Sequence, residues 1–374
     1  MGYKVIAGLP SLNEESTISG VVKGIDDALS AMGSDFDAII VNADNGSSDS
    51  TVEKFNGTET KFTKKHFTTS QQYGKGANLK KILEFAWQEN ADMVFFIDSD
   101  LAQVSEKWVA AFVDYIRSGY DAVFSRRSPK WNGGDLTYHL AYPMMLKYWR
   151  SNIHEPISGD FAFSRTFMKE ILASTWENCQ LGYGVDFLFA SVASKLNWCE
   201  IILSGKKLHK LRSFYIDTQG IITMRPKFEE VLLSIKKQAC DDIFKNRNRQ
   251  QENVKSATIG EVIWETSTVP LVDIEHEQLT QSVLKIYRKN ALLFNAFHPS
   301  LSVYFADDPF IGIPFDIWSQ CLETFILTKY DVLMYADIIE IIETIFFARV
   351  IGFFHDVKGK DNWYDLMEKQ ALKY

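Results

Sequence analysis

The stretch Met93-Val94-Phe95-Phe96-Ile97-Asp98-Ser99-Asp100 decides the fold. A short apolar run bounded by turn residues is the pattern of a strand buried on both faces, as in a parallel sheet covered by helices. In open α/β sheets ligands bind beyond the carboxyl ends of the strands. Asp98 and Asp100 are therefore expected to face a crevice rather than the core. Two carboxylates there suit a hard cation such as Mg²⁺ or Mn²⁺, which takes oxygen ligands from one or two carboxylates and from substrate phosphates. A strand end followed by a solvated turn accounts equally well for the tripeptide taken alone.

On either side, short β-rich runs alternate with helical periodicity, which predicts a sheet layered by helices. Strands are expected at Val5 to Leu9, Ala38 to Val41, Met93 to Ile97, Ala122 to Phe124, residues 159–165 and Cys199 to Leu203. Helices are expected between them, including Trp108 to Ile116, Asp135 to Tyr148 and Val185 to Lys195. Beyond about residue 215 the texture becomes helical, over 226–248, 276–296, 315–330, 331–354 and 361–372. The reading is an α/β catalytic domain over 1–215 and a helical domain over 216–374.

The chain's 374 residues, 46% of them hydrophobic, suffice for two cored domains. Its 40 Lys+Arg against 48 Asp+Glu, a net charge of -8, argue against a nucleic-acid partner, since phosphate backbones call for a basic surplus. Cys179, Cys199, Cys240 and Cys321 show no C-x-x-C or disulfide-framework spacing and read as reduced thiols of a cytoplasmic protein. The N-terminal apolar run is too short for a signal-peptide core. Ile339 to Phe354 is interrupted by Glu340, Glu343 and Arg349, short of the roughly 18 uninterrupted apolar residues of a membrane helix.

Further polar loops follow the other strands: Pro10-Ser11-Leu12-Asn13-Glu14-Glu15, then Asp44-Asn45-Gly46-Ser47-Ser48-Asp49-Ser50-Thr51, then Gly74-Lys75-Gly76. Singly, Asn13 and Asp49 make good helix caps and Gly46 suits a tight turn. Lys75, at a helix start, offers a cation and backbone N–H groups to a diphosphate. Together with D-S-D, this order resembles the nucleotide-sugar-dependent glycosyltransferases of the GT-A fold. Residues 156–165 (P-I-S-G-D-F-A-F-S-R), Gly182-Tyr183-Gly184-Val185-Asp186 and 205–211 (G-K-K-L-H-K-L) resemble the retaining mannosylglycerate and glucosyl-3-phosphoglycerate synthases. The resemblance spans about residues 4–215.

It implies that Pro10, Leu12, Glu14, Asp44, Asn45, Lys75, Asp98 and Ser99 bind the nucleotide sugar. Asp100 and His209 would hold the metal, Mg²⁺ or Mn²⁺, with imidazole favouring Mn²⁺. Asp186 would position sugar or acceptor hydroxyls, being Asp where the phosphoglycerate enzymes carry Glu. Gly134, Asp135, Thr137, Gly159, Asp160 and Tyr183 would meet the acceptor. The implied reaction moves a hexose from GDP-mannose, GDP-glucose or UDP-glucose to a small hydroxylated acceptor such as glycerate, with retention. Where the phosphoglycerate enzymes hold the acceptor phosphate with Arg, this chain has Asp135, which repels a phosphate. An unphosphorylated acceptor is expected, with Arg126, Arg127 and Lys130 as candidate cations for its carboxylate. The bland reading of those three is a solvated loop.

Two alternatives stand beside this one: an inverting family-2-like transferase using Asp160 as base, and a non-catalytic nucleotide-sugar-binding protein. A sugar-phosphate nucleotidyltransferase is disfavoured, because its glycine-rich basic loop after the first strand is replaced here by Leu9-Pro10-Ser11-Leu12-Asn13-Glu14-Glu15. The aromatic and Met residues of Tyr138 to Trp149 read as helix packing. The C-terminal helices, with Trp363 and Tyr364 as anchors, are expected to cover one side of the catalytic domain and are a candidate homo-oligomer contact.

Overall fold

The computed structural model describes residues 2–33, 36–101, 104–127, 136–204, 215–245, 255–263, 276–330, 334–357, 366 and 369–372. The chain forms two compact units that interleave along the sequence. The first comprises Met1–Asn132, Ser151–Lys210 and Arg249–Val269; the second comprises Gly133–Arg150, Leu211–Asn248 and Pro270–Tyr374. The chain thus passes between units several times, where a single boundary near residue 215 was expected.

The first unit contains strands β1 (Tyr3–Ser11), β2 (Phe36–Asp44), β3 (Thr63–Thr68), β4 (Met93–Phe96), β5 (Ala122–Arg127), β6 (Phe161–Ser164) and β7 (Trp198–Ser204). After a small hairpin of the second unit, β8 (Tyr215–Ile216) with β9 (Ile222–Thr223), the first unit adds β10 (Ser256–Ile263). Its eight strands form one mixed sheet in the order β10-β7-β5-β6-β4-β1-β2-β3. β6 runs antiparallel to both β4 and β5, with Phe161 opposite Phe96 and Phe124. The other pairings of this sheet are parallel. Because β6 is reversed, its entry, Gly159-Asp160, lies at the edge where β1, β2, β4 and β5 end.

Strand alternation gives the sheet two buried faces. Val5, Ala7, Leu9, Met93, Phe95 and Ile97 join a core with Ile18, Val21, Val22 and Ile25 of α1 (Ile18–Ala31) and Trp108 and Phe112 of α4 (Glu106–Arg117). α2 (Thr51–Gly57) follows β2, and α3 (Lys75–Gln88) precedes β4. On the opposite face Phe96, Phe163 and Phe167 cluster with Phe189, and the Phe163 and Phe167 rings stack at 3.8 Å. Burying a phenylalanine contributes roughly 1.5–3 kcal/mol, so this cluster is a firm floor beneath the residues that follow Phe96. α6 (Arg165–Leu172), α7 (Asn178–Leu181) and α8 (Val185–Ala193) complete the described helices of this unit.

Besides the β8–β9 hairpin, two strands of the large sheet differ from expectation. β3 is a sheet edge whose residues are exposed or half-buried, with Lys64 and Lys65 in it. Charged edges of this kind carry no apolar signal. β10 pairs in parallel with β7 across a register shift between Ile259 and Glu261 and forms the other edge, in a region expected to be free of strands.

The second unit is largely helical. A run over 137–149, with α5 (Tyr142–Met144) between two π-helical turns, buries Tyr138, His139, Leu140, Met144 and Trp149. It is joined by α9 (Lys227–Lys245), α10 (His276–Phe297), α11 (Leu301–Phe305), α12 (Phe315–Leu327) and α13 (Tyr335–Val357). Within this unit the Trp149 indole donates to Asp242 at 2.7 Å and the Trp318 indole donates to the His139 carbonyl at 2.7 Å. These bonds place the 137–149 aromatics in packing roles, as their spacing suggests. Trp363 and Tyr364 lie outside the described residues. Among the described residues no helix is long and apolar enough to cross a membrane.

Candidate active site

The loops after β1 and β2 interlock before either can meet a ligand. The Ser11 hydroxyl donates to Asp44 Oδ2 at 2.7 Å, while Asp44 Oδ1 accepts the Gly46 and Ser47 amides at 2.8 and 2.7 Å. Ser47 Oγ adds a bond to Asp44 Oδ2 at 2.6 Å, and the carboxylate is almost wholly buried. Asp44 thus organises its own loop with both oxygens. Asn45 is also buried: its Oδ1 accepts from Asn78 Nδ2 at 2.7 Å, and its amide nitrogen donates to Thr69 at 2.9 Å. The β1 loop turns at Asn13, which has φ +58° and donates its amide to Ser47 Oγ at 2.8 Å. The Glu14 amide donates to Thr51 Oγ1 at 2.7 Å, leaving Glu14 buried and Leu12 exposed.

The D-S-D turn is tied to the same frame. Ser99 is buried and its hydroxyl donates to the Pro10 carbonyl, while the Ser99 carbonyl accepts from Thr17 Oγ1 at 2.7 Å. The Asp98 amide donates to Asp160 Oδ1 at 3.0 Å. Asp160 is fully buried, and its carbonyl accepts the Ser125 amide at 3.3 Å. One buried carboxylate on the reversed strand's entry therefore fixes the turn that carries Asp98 and Asp100.

Lys75 joins this turn to α8. Its Nζ lies 2.9 Å from Asp98 Oδ1 and 3.4 Å from Asp186 Oδ2, in the first turn of α8. The same ammonium donates to the Gly159 carbonyl at 3.4 Å; Gly159 has φ +85°, a backbone state that glycine reaches without strain. Burial alone would lower the lysine's proton affinity. Asp186 first, then Asp98, with Asp160 behind them, outweigh it and hold the ammonium well above the usual lysine range.

The glycines beside Lys75 do not leave amides for a diphosphate. Gly74 donates to the Leu181 carbonyl at 3.0 Å and Gly76 to the Gly182 carbonyl at 3.1 Å. A Cβ at Gly76 would lie 2.0 Å from the Gln180 carbonyl oxygen. The G-K-G and G-Y-G-V-D motifs are thus two sides of one backbone contact, and this contact aims Lys75 at Asp186. Tyr183 is half-buried in that second loop.

Arg126 is buried near the carboxyl end of β5, opposite Ile202. Thr137 opens the first π-helical turn of the second unit. Gly134, Asp135, Lys130 and His209, and the Arg127 side chain, lie outside the described residues. Sequence reasoning missed Asn78, which donates to Asn45 and to the Ser11 carbonyl, at 2.7 and 3.3 Å. Its signal was one polar residue on the buried face of α3, beside Leu79. It also missed Glu200 of β7, buried and accepting from the His154 amide at 2.7 Å and bonded to His154 Nδ1 at 2.6 Å. That pair anchors the start of the loop leading to Gly159 and Asp160.

For a metal, the donor chemistry fits: Asp98 and Asp100 place hard oxygen ligands at the sheet's carboxyl edge, as Mg²⁺ or Mn²⁺ requires. Among the described residues no group of three or more His, Cys, Asp or Glu is placed to hold an ion. Cys199 and Cys321 are poor candidates for any chemistry, as burial pushes both thiols up to about 12.

Residues 7–172 match the family model of Glycosyl transferase family 2. This stretch runs from β1 through α6 and contains the β1 loop, the Asp44 loop, G-K-G, D-S-D and Asp160; Asp186 and His209 lie beyond it. Over this stretch the chain is similar to family 2 glycosyltransferases, and its fold is a GT-A-like mixed sheet with a largely helical C-terminal region. Among solved structures it is similar to glucosyl-3-phosphoglycerate synthase from Mycobacterium tuberculosis in complex with Mn²⁺, UDP and glucosyl-3-phosphoglycerate. The TM-score is 0.50 at 23% identity, covering 64% of this chain and 81% of that one. The same enzyme bound to phosphoglyceric acid gives 0.49 at 22% identity, covering 64% and 81%. No curated protein matches the sequence.

Proposed function

We propose that this glycosyltransferase moves a hexose from a nucleoside-diphosphate sugar to a small hydroxylated acceptor, with a divalent metal and with retention. The observation that carries the reading is the Lys75 bridge, which brings Asp98 and Asp186, from motifs far apart in sequence, to one ammonium. In this reading the loops held by Asp44 and Asn45 receive the nucleoside, with Pro10, Leu12, Glu14 and Ser99 along their wall. Asp100 would hold the metal together with His209, and Asp98 would face the ribose. When bound, the ion supplies Lewis-acid neutralisation of the leaving diphosphate. Asp186, paired with Lys75, accepts hydrogen bonds from sugar or acceptor hydroxyls and orients them. The similar synthase's complex with Mn²⁺, UDP and glucosyl-3-phosphoglycerate supports a UDP-sugar donor and a small hydroxylated acceptor.

The inverting alternative needs Asp160 as a solvent-facing base. Its full burial and its bond to the Asp98 amide favour a supporting role instead. For the acceptor, Asp135 in place of an arginine argues for an unphosphorylated acid such as glycerate, which Gly159 and Tyr183 of the first unit would meet. The test is kcat/KM for D-glycerate against 3-phosphoglycerate, over UDP- and GDP-sugars with Mn²⁺ or Mg²⁺. A preference for glycerate is expected, and a preference for 3-phosphoglycerate would overturn the acceptor assignment.

A further inference from the structure

Lys75 sits where a diphosphate-binding cation would be sought, yet its neighbours are acids. Its Nζ is within 2.9 Å of Asp98 and 3.4 Å of Asp186, and its side chain is only 15% exposed. A third bond, to the Gly159 carbonyl, ties the ammonium to the loop that carries Asp160. The backbone is built to keep it there, because the Gly74 and Gly76 amides clasp Leu181 and Gly182, the residues leading into α8. A freely reaching lysine on an open loop would need none of these constraints.

We propose that Lys75 is a positioning residue that locks Asp186 to the D-S-D turn, rather than the cation that binds the donor's diphosphate. Loss of the bridge lets the two carboxylates repel each other, and Asp186 moves away from the sugar-side geometry that the reaction needs. The nucleoside loops stand on their own hydrogen bonds, through Asp44, Asn45 and Asn78, and are left in place. The cost therefore falls on turnover and spares nucleotide affinity. The inference rests on the reading of Asp186 given above, but the bridge itself can be measured without turnover.

The test compares Lys75→Met, Asp186→Asn and the double variant. In thermal denaturation, Lys75→Met removes the ammonium that joins Asp98 to the buried Asp186, so the double variant is expected to melt above Lys75→Met. Strictly additive losses would overturn the bridge, whether or not the protein turns over any donor. In kinetics, Lys75→Met is expected to lower kcat on the order of 100-fold, and the double variant to be no slower than Asp186→Asn. Binding of UDP and of GDP, each with Mn²⁺, is expected to change little in Lys75→Met. A large loss of nucleotide affinity at unchanged kcat would return Lys75 to the diphosphate and refute the proposal. Absence of turnover in the wild type would refute the proposed reaction, while the melting comparison would still decide the bridge.

Discussion

Replacing Gly76 by alanine sets two physical expectations against each other. Gly76 lies in the first turn of α3, where helix propensity alone favours alanine by about 1 kcal/mol. The structure opposes it, because the new Cβ would lie 2.0 Å from the Gln180 carbonyl oxygen. A carbon needs about 3.3 Å from such an oxygen, so the two loops must part by roughly 1.3 Å. That displacement opens the bonds from Gly74 and Gly76 to Leu181 and Gly182, now 3.0 and 3.1 Å long. Two hydrogen bonds at about 1 kcal/mol each, plus an overpacking cost of about 1–3 kcal/mol, less the propensity gain, leave a net loss of about 2–4 kcal/mol. Guanidinium denaturation should show a lower midpoint at unchanged slope. Turnover should fall on the order of 100-fold, since Lys75 and Asp186 are carried by the loops that part. An alanine variant as stable as the wild type, with full turnover, would refute the contact as the reason for G-K-G.

Asp44→Ala removes the acceptor shared by Ser11, Gly46 and Ser47. It should destabilise the protein by about 2 kcal/mol and raise the donor KM more than it lowers kcat, as read by denaturation and steady-state kinetics. In the second unit, Glu343 of α13 accepts the Met224 amide at 2.7 Å and the Thr223 hydroxyl at 3.0 Å, and burial raises its pKa above 4.5 despite these bonds and Arg225. The folded state then binds the proton more tightly than the unfolded chain, so stability falls as pH rises from about 4.5 through the raised folded pKa. Glu343→Gln should flatten that part of the stability profile, and an unchanged profile would assign the slope to other groups.

How much of this was legible in the sequence follows from where the signals lie. The run into Asp98 announced a buried strand and a polar edge, because burial on both faces leaves a continuous apolar stretch. β3 was silent because an edge strand bearing Lys64 and Lys65 buries little and shows neither periodicity nor a core face. β10 was silent for a related reason: it is a sheet edge lying between long helical segments, and the interleaving of the units cannot be seen from local texture. The site motifs were visible, but their partners were not. Gly74 and Gly76 read locally as an open helix start, since nothing in that tripeptide reveals that a loop about a hundred residues on docks against it. Asp44 was assigned to the nucleotide by the resemblance alone, and nothing local in its turn showed that both its oxygens would accept from Ser11, Gly46 and Ser47. Asn78 and Glu200 carry only the weaker mark of a polar residue in an apolar neighbourhood.

The central claim is hexosyl transfer at the edge marked by Asp98, Asp100 and Asp186. Its most direct test is release of nucleoside diphosphate from UDP-glucose, GDP-glucose or GDP-mannose with Mn²⁺, with and without D-glycerate, followed by NMR of the product's anomeric centre. Acceptor-dependent release with one donor, giving a glycoside of the donor's own anomeric configuration and abolished in Asp100→Ala, is the predicted result. Undiminished turnover in Asp100→Ala, or a product of inverted configuration, would contradict the account.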